Sequence, residues 1–172
     1  MEKILIRQAG PADAALIADM SRQTFYDSFA AANTKEDMEL FMREQFSRES
    51  LIKEVLSGDG IFFIASDDDQ TLGYARMRDG GSYPAFGGEK AIEIVRIYAV
   101  KSAIGKGVGS ALIKECIDSA IRLQKKILWL GVWEQNQRAI AFYTRWGFTK
   151  FGEHEFIVGN DRQTDWLMKK DL

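Results

Sequence analysis

Three clusters in this chain of 172 residues have the types and spacing to do chemistry. The first runs from Ile97-Tyr98-Ala99-Val100 through Lys101 to Gly105 and on to Lys106-Gly107-Val108-Gly109-Ser110-Ala111-Leu112. A strand ends, a glycine-rich turn follows, and a helix begins. Glycines let a backbone approach a ligand closely and aim successive N–H groups inward. The helix N-terminus adds about half a positive charge, and Lys106 can add a whole one. Together these suit a pyrophosphate. The same residues would serve equally as a tight turn capping a core helix. Two nucleotide motifs are excluded. No Gly-Lys is followed by Ser or Thr at P-loop spacing. Gly105, Gly107 and Gly109 give G-x-G-x-G, not the dinucleotide G-x-G-x-x-G. Glu134 could stand where a ribose ligand would, but that fold needs several parallel units and this chain offers one.

The second cluster is Asn136-Gln137-Arg138-Ala139-Ile140-Ala141-Phe142-Tyr143. Asn136 and Tyr143 are nearly two helical turns apart and share a face. Asn136 is also a natural N-cap, which leaves a capped helix with a packed Tyr143 as the plainer reading. The third is Glu93, within Glu93-Ile94-Val95-Arg96-Ile97. Strand alternation puts Glu93 on the same face as Val95 and Ile97. A carboxylate on an apolar strand needs either a role or a partner such as an arginine. His154 is the only histidine and Cys116 the only cysteine. Multi-histidine metal sites, thiolate zinc clusters and internal disulfides are therefore excluded. Asp67-Asp68-Asp69 reads as a solvated turn rather than a metal site, and no metal is expected.

The elements that must position these clusters form a mixed order. A strand at Lys3–Ala9 precedes a helix opened by Gly10-Pro11-Ala12-Asp13, with Pro11 where its missing N–H costs nothing. Thr34-Lys35-Glu36-Asp37 resembles a capping box opening a second helix, and Ser47 can open a third. Ile61–Ala65 and Thr71–Met77 make an antiparallel hairpin. After the loop Asp79–Lys90 come a strand at 91–100, a helix at 106–124 and a strand at 127–133 that is apolar on both faces, as a central parallel strand is. A helix at 135–146 and strands at 148–158 and 163–169, around Gly159-Asn160-Asp161, complete the chain. This is α+β, one domain over residues 1–172, around a mixed, mostly antiparallel sheet flanked by helices. The hydrophobic fraction of 46% and charged fraction of 28% are those of a globular domain. The net charge of −2 does not favour nucleic acid as a partner. No apolar run is long enough for a membrane span, the N-terminus lacks a signal-peptide pattern, and the expected compartment is the cytoplasm.

Arg96-Ile97-Tyr98-Ala99-Val100, Gly105-Lys106-Gly107-Val108-Gly109, Asn136 to Tyr143 and Trp146-Gly147-Phe148 resemble, in order and spacing, the GNAT superfamily of N-acetyltransferases, and the resemblance spans the chain. It implies a sheet splayed open between the strands at 91–100 and 127–133, with acetyl-CoA in the V. The pantetheine arm would pair with the backbone of Ile97, Tyr98 and Ala99. The pyrophosphate would sit on Gly105, Lys106, Gly107, Val108, Gly109 and Ser110, and Asn136 and Tyr143 would complete the CoA site. One departure stands out: Ile104 occupies a place where the superfamily usually has Gln or Arg. Weaker loop anchoring is expected there, with the backbone donors retained. Thr24-Phe25-Tyr26-Asp27-Ser28-Phe29, Trp129 to Glu134 and Gln163-Thr164-Asp165 further resemble PaiA-type polyamine N-acetyltransferases. That implies a small amine such as spermidine or spermine as substrate, with Phe25, Tyr26 and Asp27 near it.

The resemblance thus implies acetyl transfer from acetyl-CoA to a primary amine by direct attack. A free alkylamine has a pKa of about 10.4, so deprotonating it at pH 7 costs roughly 4 to 5 kcal/mol. Glu93 is the candidate to assist that loss, directly or through water. Strand N–H groups would stabilise the tetrahedral oxyanion, and Tyr143 would protonate the leaving thiolate. Cys116 is read as a small core residue. A protein N-terminus, an antibiotic or an amino acid remain alternative acceptors, a non-catalytic CoA-sensing module is the alternative class, and a homodimer is open.

Overall fold

Short polar links between apolar runs turn neighbouring strands back on one another. The computed structural model describes residues 4–68 and 70–172. The expected strand start at Lys3 and Asp69 of the aspartate turn lie outside these residues. In chain order the elements are β1 (Leu5–Gln8), α1 (Ala14–Phe29), α2 (Lys35–Glu44), α3 (Arg48–Leu56), β2 (Ile61–Asp67), β3 (Gln70–Asp79), β4 (Ala91–Ala99), α4 (Val108–Arg122), β5 (Ile127–Trp133), α5 (Gln137–Arg145), β6 (Thr149–Val158) and β7 (Asp161–Asp171). The strands form one sheet in the order β1-β2-β3-β4-β5-β7-β6. Every neighbouring pair is antiparallel except β4–β5.

Local chemistry sets the helix starts. Pro11 opens a 3₁₀ turn that runs into α1, while Asp13 accepts from the Gly10 N–H at 2.9 Å and from the Arg7 guanidinium. Thr34 Oγ1 accepts from the Asp37 N–H at 3.1 Å and caps α2. Ser47 does the same for α3 through the Ser50 N–H.

The sheet is covered on both faces. On one, α4 and α5 bury Val108, Leu112, Ile113, Cys116, Ile140 and Tyr143 against Ala75, Met77, Ile94, Leu128 and Leu130. On the other, Ile17 and Met20 of α1 and Val55 of α3 pack on Phe62, Ile64 and Tyr74. The end of α1 and α2 bury a phenylalanine cluster (Phe25, Phe41 and Phe46) against Val158. The first face will be called the α4 face and the second the α1 face.

One irregularity changes which side chains face which way. β3 and β4 pair as Arg76 with Arg96 but Met77 with Ile94, so Val95 is an extra residue in β4. Such a bulge reverses the alternation beyond it. Glu93, paired with Arg78, lies on the α1 face with Arg96 and Tyr98. Ile94, Ile97 and Ala99 lie on the α4 face. The expectation that Glu93 shares a face with Ile97 is therefore corrected.

Candidate active site

β4 and β5 pair only from Ala91–Ile127 to Ile94–Leu130. Beyond that point each strand keeps its outer neighbour, β3 or β7, and loses the inner one. The sheet opens into a V whose arms are Ile97–Ala99 and Gly131–Trp133. Polar backbone groups on the inner edges have no strand partner, the condition that an extended ligand with amides would satisfy.

The glycine-rich loop stands at the mouth of the β4 arm. Gly105 and Gly107 have φ of 81° and 90°, a left-handed conformation that a side chain would strain. Gly107 is the N-cap of α4, with no side chain capping it. The N–H groups of Gly105, Gly107, Val108, Gly109 and Ser110 reach no backbone carbonyl among the described residues. A Cβ on Gly105 would meet nothing within 4 Å, so the loop is open outward. Free donors, a helix dipole and the exposed Lys106 form a cradle fit for a pyrophosphate. β3 supports it from below: a Cβ on Gly73 would stand 2.9 Å from Val108 Cγ1 and 2.5 Å from the Tyr98 carbonyl. Only glycine lets β3 run beneath the end of β4 and the start of α4.

Asn136 caps α5, accepting from the Ala139 N–H at 3.1 Å. Seven residues on, Tyr143 is buried between Phe142 and Phe148. Burial, with a smaller contribution from Cys116, pushes its hydroxyl well above the ordinary tyrosine value and keeps it protonated. Tyr98 is likewise pushed up, mainly by burial, and its ionisation is further opposed by Tyr74, Tyr143 and Asp165. Tyr98 thus has Tyr143 and Asp165 within electrostatic reach. The Cys116 thiol is fully buried and pushed up to about 12, which removes it as a nucleophile.

Glu93 is already occupied. Its Oε2 lies 2.7 Å from Nη2 of Arg78, the arginine pairing weighed above. A second cluster lies under α3, where Glu54 holds Arg96 through two bonds of 2.9 Å and also contacts Arg76. Arg96 additionally lies over the Phe46 ring at 4.8 Å. Burial pulls Arg76 down despite Glu54.

The residues expected near the acceptor on α1 lie in three different places. Phe25 is core, stacked on Phe41 at 4.6 Å. Tyr26 lines an outward groove of about 1000 Å³ together with Asp19, Arg22, Met42 and Arg48. Asp27 is exposed and accepts from Gln23. The helical period carries Phe29, one turn beyond Phe25, toward the sheet instead, 6.0 Å from Trp133. Trp133 pairs with Asp165, which pairs with His154 across β6–β7, and Asn33 accepts from Gln163 at 2.6 Å. The segments 24–33, 129–134 and 163–165 therefore do converge beside the V, but through Phe29, Trp133 and Asp165. His154 also lies at this convergence, 3.6 Å from Asp165, and the sequence reading did not place it there. A two-residue turn at Gly159-Asn160, with Val158 paired to Asp161, would have placed it opposite Asp165.

A sequence model described as the acetyltransferase (GNAT) family matches residues 22–148. Over all 172 residues the chain is 34% identical to an uncharacterized N-acetyltransferase in the pepI 3′ region of Lactobacillus delbrueckii subsp. lactis, covering 99% of that protein. It is 24% identical over 171 residues to a spermidine N(1)-acetyltransferase of Thermoplasma acidophilum, covering 97% of this chain and 96% of that one. Among solved structures, a PaiA N-acetyltransferase from Thermoplasma acidophilum in complex with coenzyme A superposes with a TM-score of 0.77 at 21% identity, covering 99% of each chain.

Proposed function

The chain belongs to the acetyltransferase (GNAT) family, and from that premise we propose that it acetylates a small primary amine of the spermidine or spermine class, with acetyl-CoA as donor and the V between β4 and β5 as the reaction site. The observation that carries this reading is the loss of β4–β5 pairing after Ile94 and Leu130, directly beside the open N–H cradle. Acetyl-CoA supplies an activated thioester. The backbone of Ile97, Tyr98 and Ala99 offers edge groups to its pantetheine arm, and Gly105 to Ser110 hold its pyrophosphate. Asn136 fixes the start of α5, and that helix carries Tyr143. Tyr143 keeps a proton at its hydroxyl through the working pH range and gives it to the departing thiolate.

The polyamine class is supported by the segments meeting at Phe29, Trp133 and Asp165, where aromatic rings flank a carboxylate. Glu93 is not free to act as a base while it is bound to Arg78, and we assign it to holding β3 against β4. No helix among the described residues is long and apolar enough to cross a membrane, and the buried lone thiol suits a reducing cytoplasm. A panel of amines and an alanine-terminated peptide, assayed with acetyl-CoA by thiol release, tests the proposal. Spermidine or spermine should show the highest kcat/KM. A peptide that outranks both would remove the polyamine reading.

A further inference from the structure

Four partly buried carboxylates belong to the α1 side of the sheet among the described residues: Asp13, Glu54, Glu93 and Asp165. Arginines neutralise the first three. Asp165 has no lysine or arginine partner among the described residues. Its one basic neighbour is His154, with Nε2 3.6 Å from Oδ2. We propose that Asp165 anchors the ammonium group of the acceptor and that His154 takes the proton which that ammonium must lose before attack. This rests on the acetyl-transfer reading above and adds the two residues that would select and prepare the amine.

The placement is specific. β7 sets Asp165 beside Trp133, on the arm of β5 that has left β4. β6 brings His154 across from it. Both lie over Gly131: a Cβ there would stand 3.4 Å from His154 Cε1 and 3.5 Å from Asp165 Oδ2. Glycine at this point leaves the floor of the arm low. Trp133 and Phe29 supply an aromatic wall, and Tyr98 on the β4 arm is within electrostatic reach of Asp165. Among the described residues, the ionisable group beside the pair is Tyr98, with Tyr74, Tyr143 and Arg96 behind it. Burial raises the Asp165 carboxyl, and His154 only partly offsets that. A buried carboxylate without a cation is costly, and an incoming ammonium supplies the missing charge.

His154 provides the exit. Its side chain is 41% exposed, against 15% for Asp165, so it connects the carboxylate to solvent. With the neutral ring protonated at Nδ1, Nε2 is the acceptor. The ammonium N–H bond breaks with its electron pair staying on nitrogen, and a new N–H bond forms at Nε2. The imidazolium is held by Asp165 until it passes the proton to water.

The test uses Asp165→Asn and His154→Gln with spermidine as the probe. Thiol release gives kcat and KM, and calorimetry gives spermidine affinity for the enzyme–coenzyme A complex. Asp165→Asn should raise spermidine KM and Kd by about tenfold or more. His154→Gln should lower kcat about a hundredfold at neutral pH, with the deficit shrinking as pH rises and free amine accumulates. Coenzyme A affinity should stay at the wild-type value in both, which also reports correct folding. If Asp165→Asn does not fold, Asp165→Ser carries the same expectation. Wild-type KM, kcat and pH profile in both variants would overturn the inference while leaving acetyl transfer intact. A wild-type enzyme inert toward spermidine would overturn the acceptor reading beneath it.

Discussion

Replacing Gly107 separates the two properties assigned to the loop, its backbone conformation and its appetite for negative charge. With φ at 90°, any side chain at 107 is strained, yet its Cβ would meet only Ile4 Cδ1 at 3.7 Å. Gly107→Asn and Gly107→Asp are nearly isosteric, and both tolerate left-handed backbone better than other residues do. Each should therefore lose about 1 kcal/mol of stability from strain. Only Asp adds a charge. A carboxylate about 6 Å from a phosphate, at an effective dielectric of about 40, is repelled by about 1.4 kcal/mol, or tenfold in Kd. Calorimetric titration with coenzyme A should give a Kd for Gly107→Asp about tenfold above that of Gly107→Asn. The gap should narrow as salt is raised, because both charges are near solvent. Equal affinities in two folded variants would refute the pyrophosphate cradle.

Tyr143→Phe removes a hydroxyl and leaves the packing against Phe142 and Phe148, so kcat should fall about 10²- to 10⁴-fold with acetyl-CoA affinity nearly unchanged; stopped-flow thiol release under chemistry-limited conditions checks it. Glu54→Gln leaves the Arg76 and Arg96 guanidinium groups buried without their counter-charge, and chemical denaturation should show a loss of about 3–5 kcal/mol. Asp165 has a folded-state pKa above its unfolded one, so its stabilising effect is present only where it is protonated and is lost as pH rises through the folded value. Asp165→Asn should accordingly raise Tm at neutral pH, and the gain should vanish below the ordinary carboxylate range; a fall in Tm at neutral pH would contradict this. Asp13 runs the other way: Arg7 holds it down at about 2, so its contribution is present at neutral pH and disappears as pH falls toward that value.

The parts of the fold that follow local rules were legible in the sequence. Pro11, Thr34, Ser47 and Asn136 stand at helix starts because their chemistry acts within one turn. The apolar stretch at 127–133 became β5 with the same boundaries. The open N–H loop between β4 and α4 was legible because its donors are backbone groups ordered by glycines. What could not be read depended on register. One extra residue at Val95 turned Glu93 away from Ile97 and toward Arg78, and nothing in Glu93-Ile94-Val95-Arg96 announces a bulge. Arg78 lies fifteen residues before Glu93 on another strand. Phe25 and Phe29 lie one turn apart, and only the packing of α1 against α2 decides which becomes core.

In the proposed reaction, donor and amine meet in the V and react directly, without an acyl-enzyme. Initial rates of thiol release, measured over a grid of acetyl-CoA and spermidine concentrations, test it most directly. Direct transfer gives amine-dependent release and intersecting double-reciprocal lines, the pattern of a ternary complex. Parallel lines, or release that does not depend on amine, would contradict it.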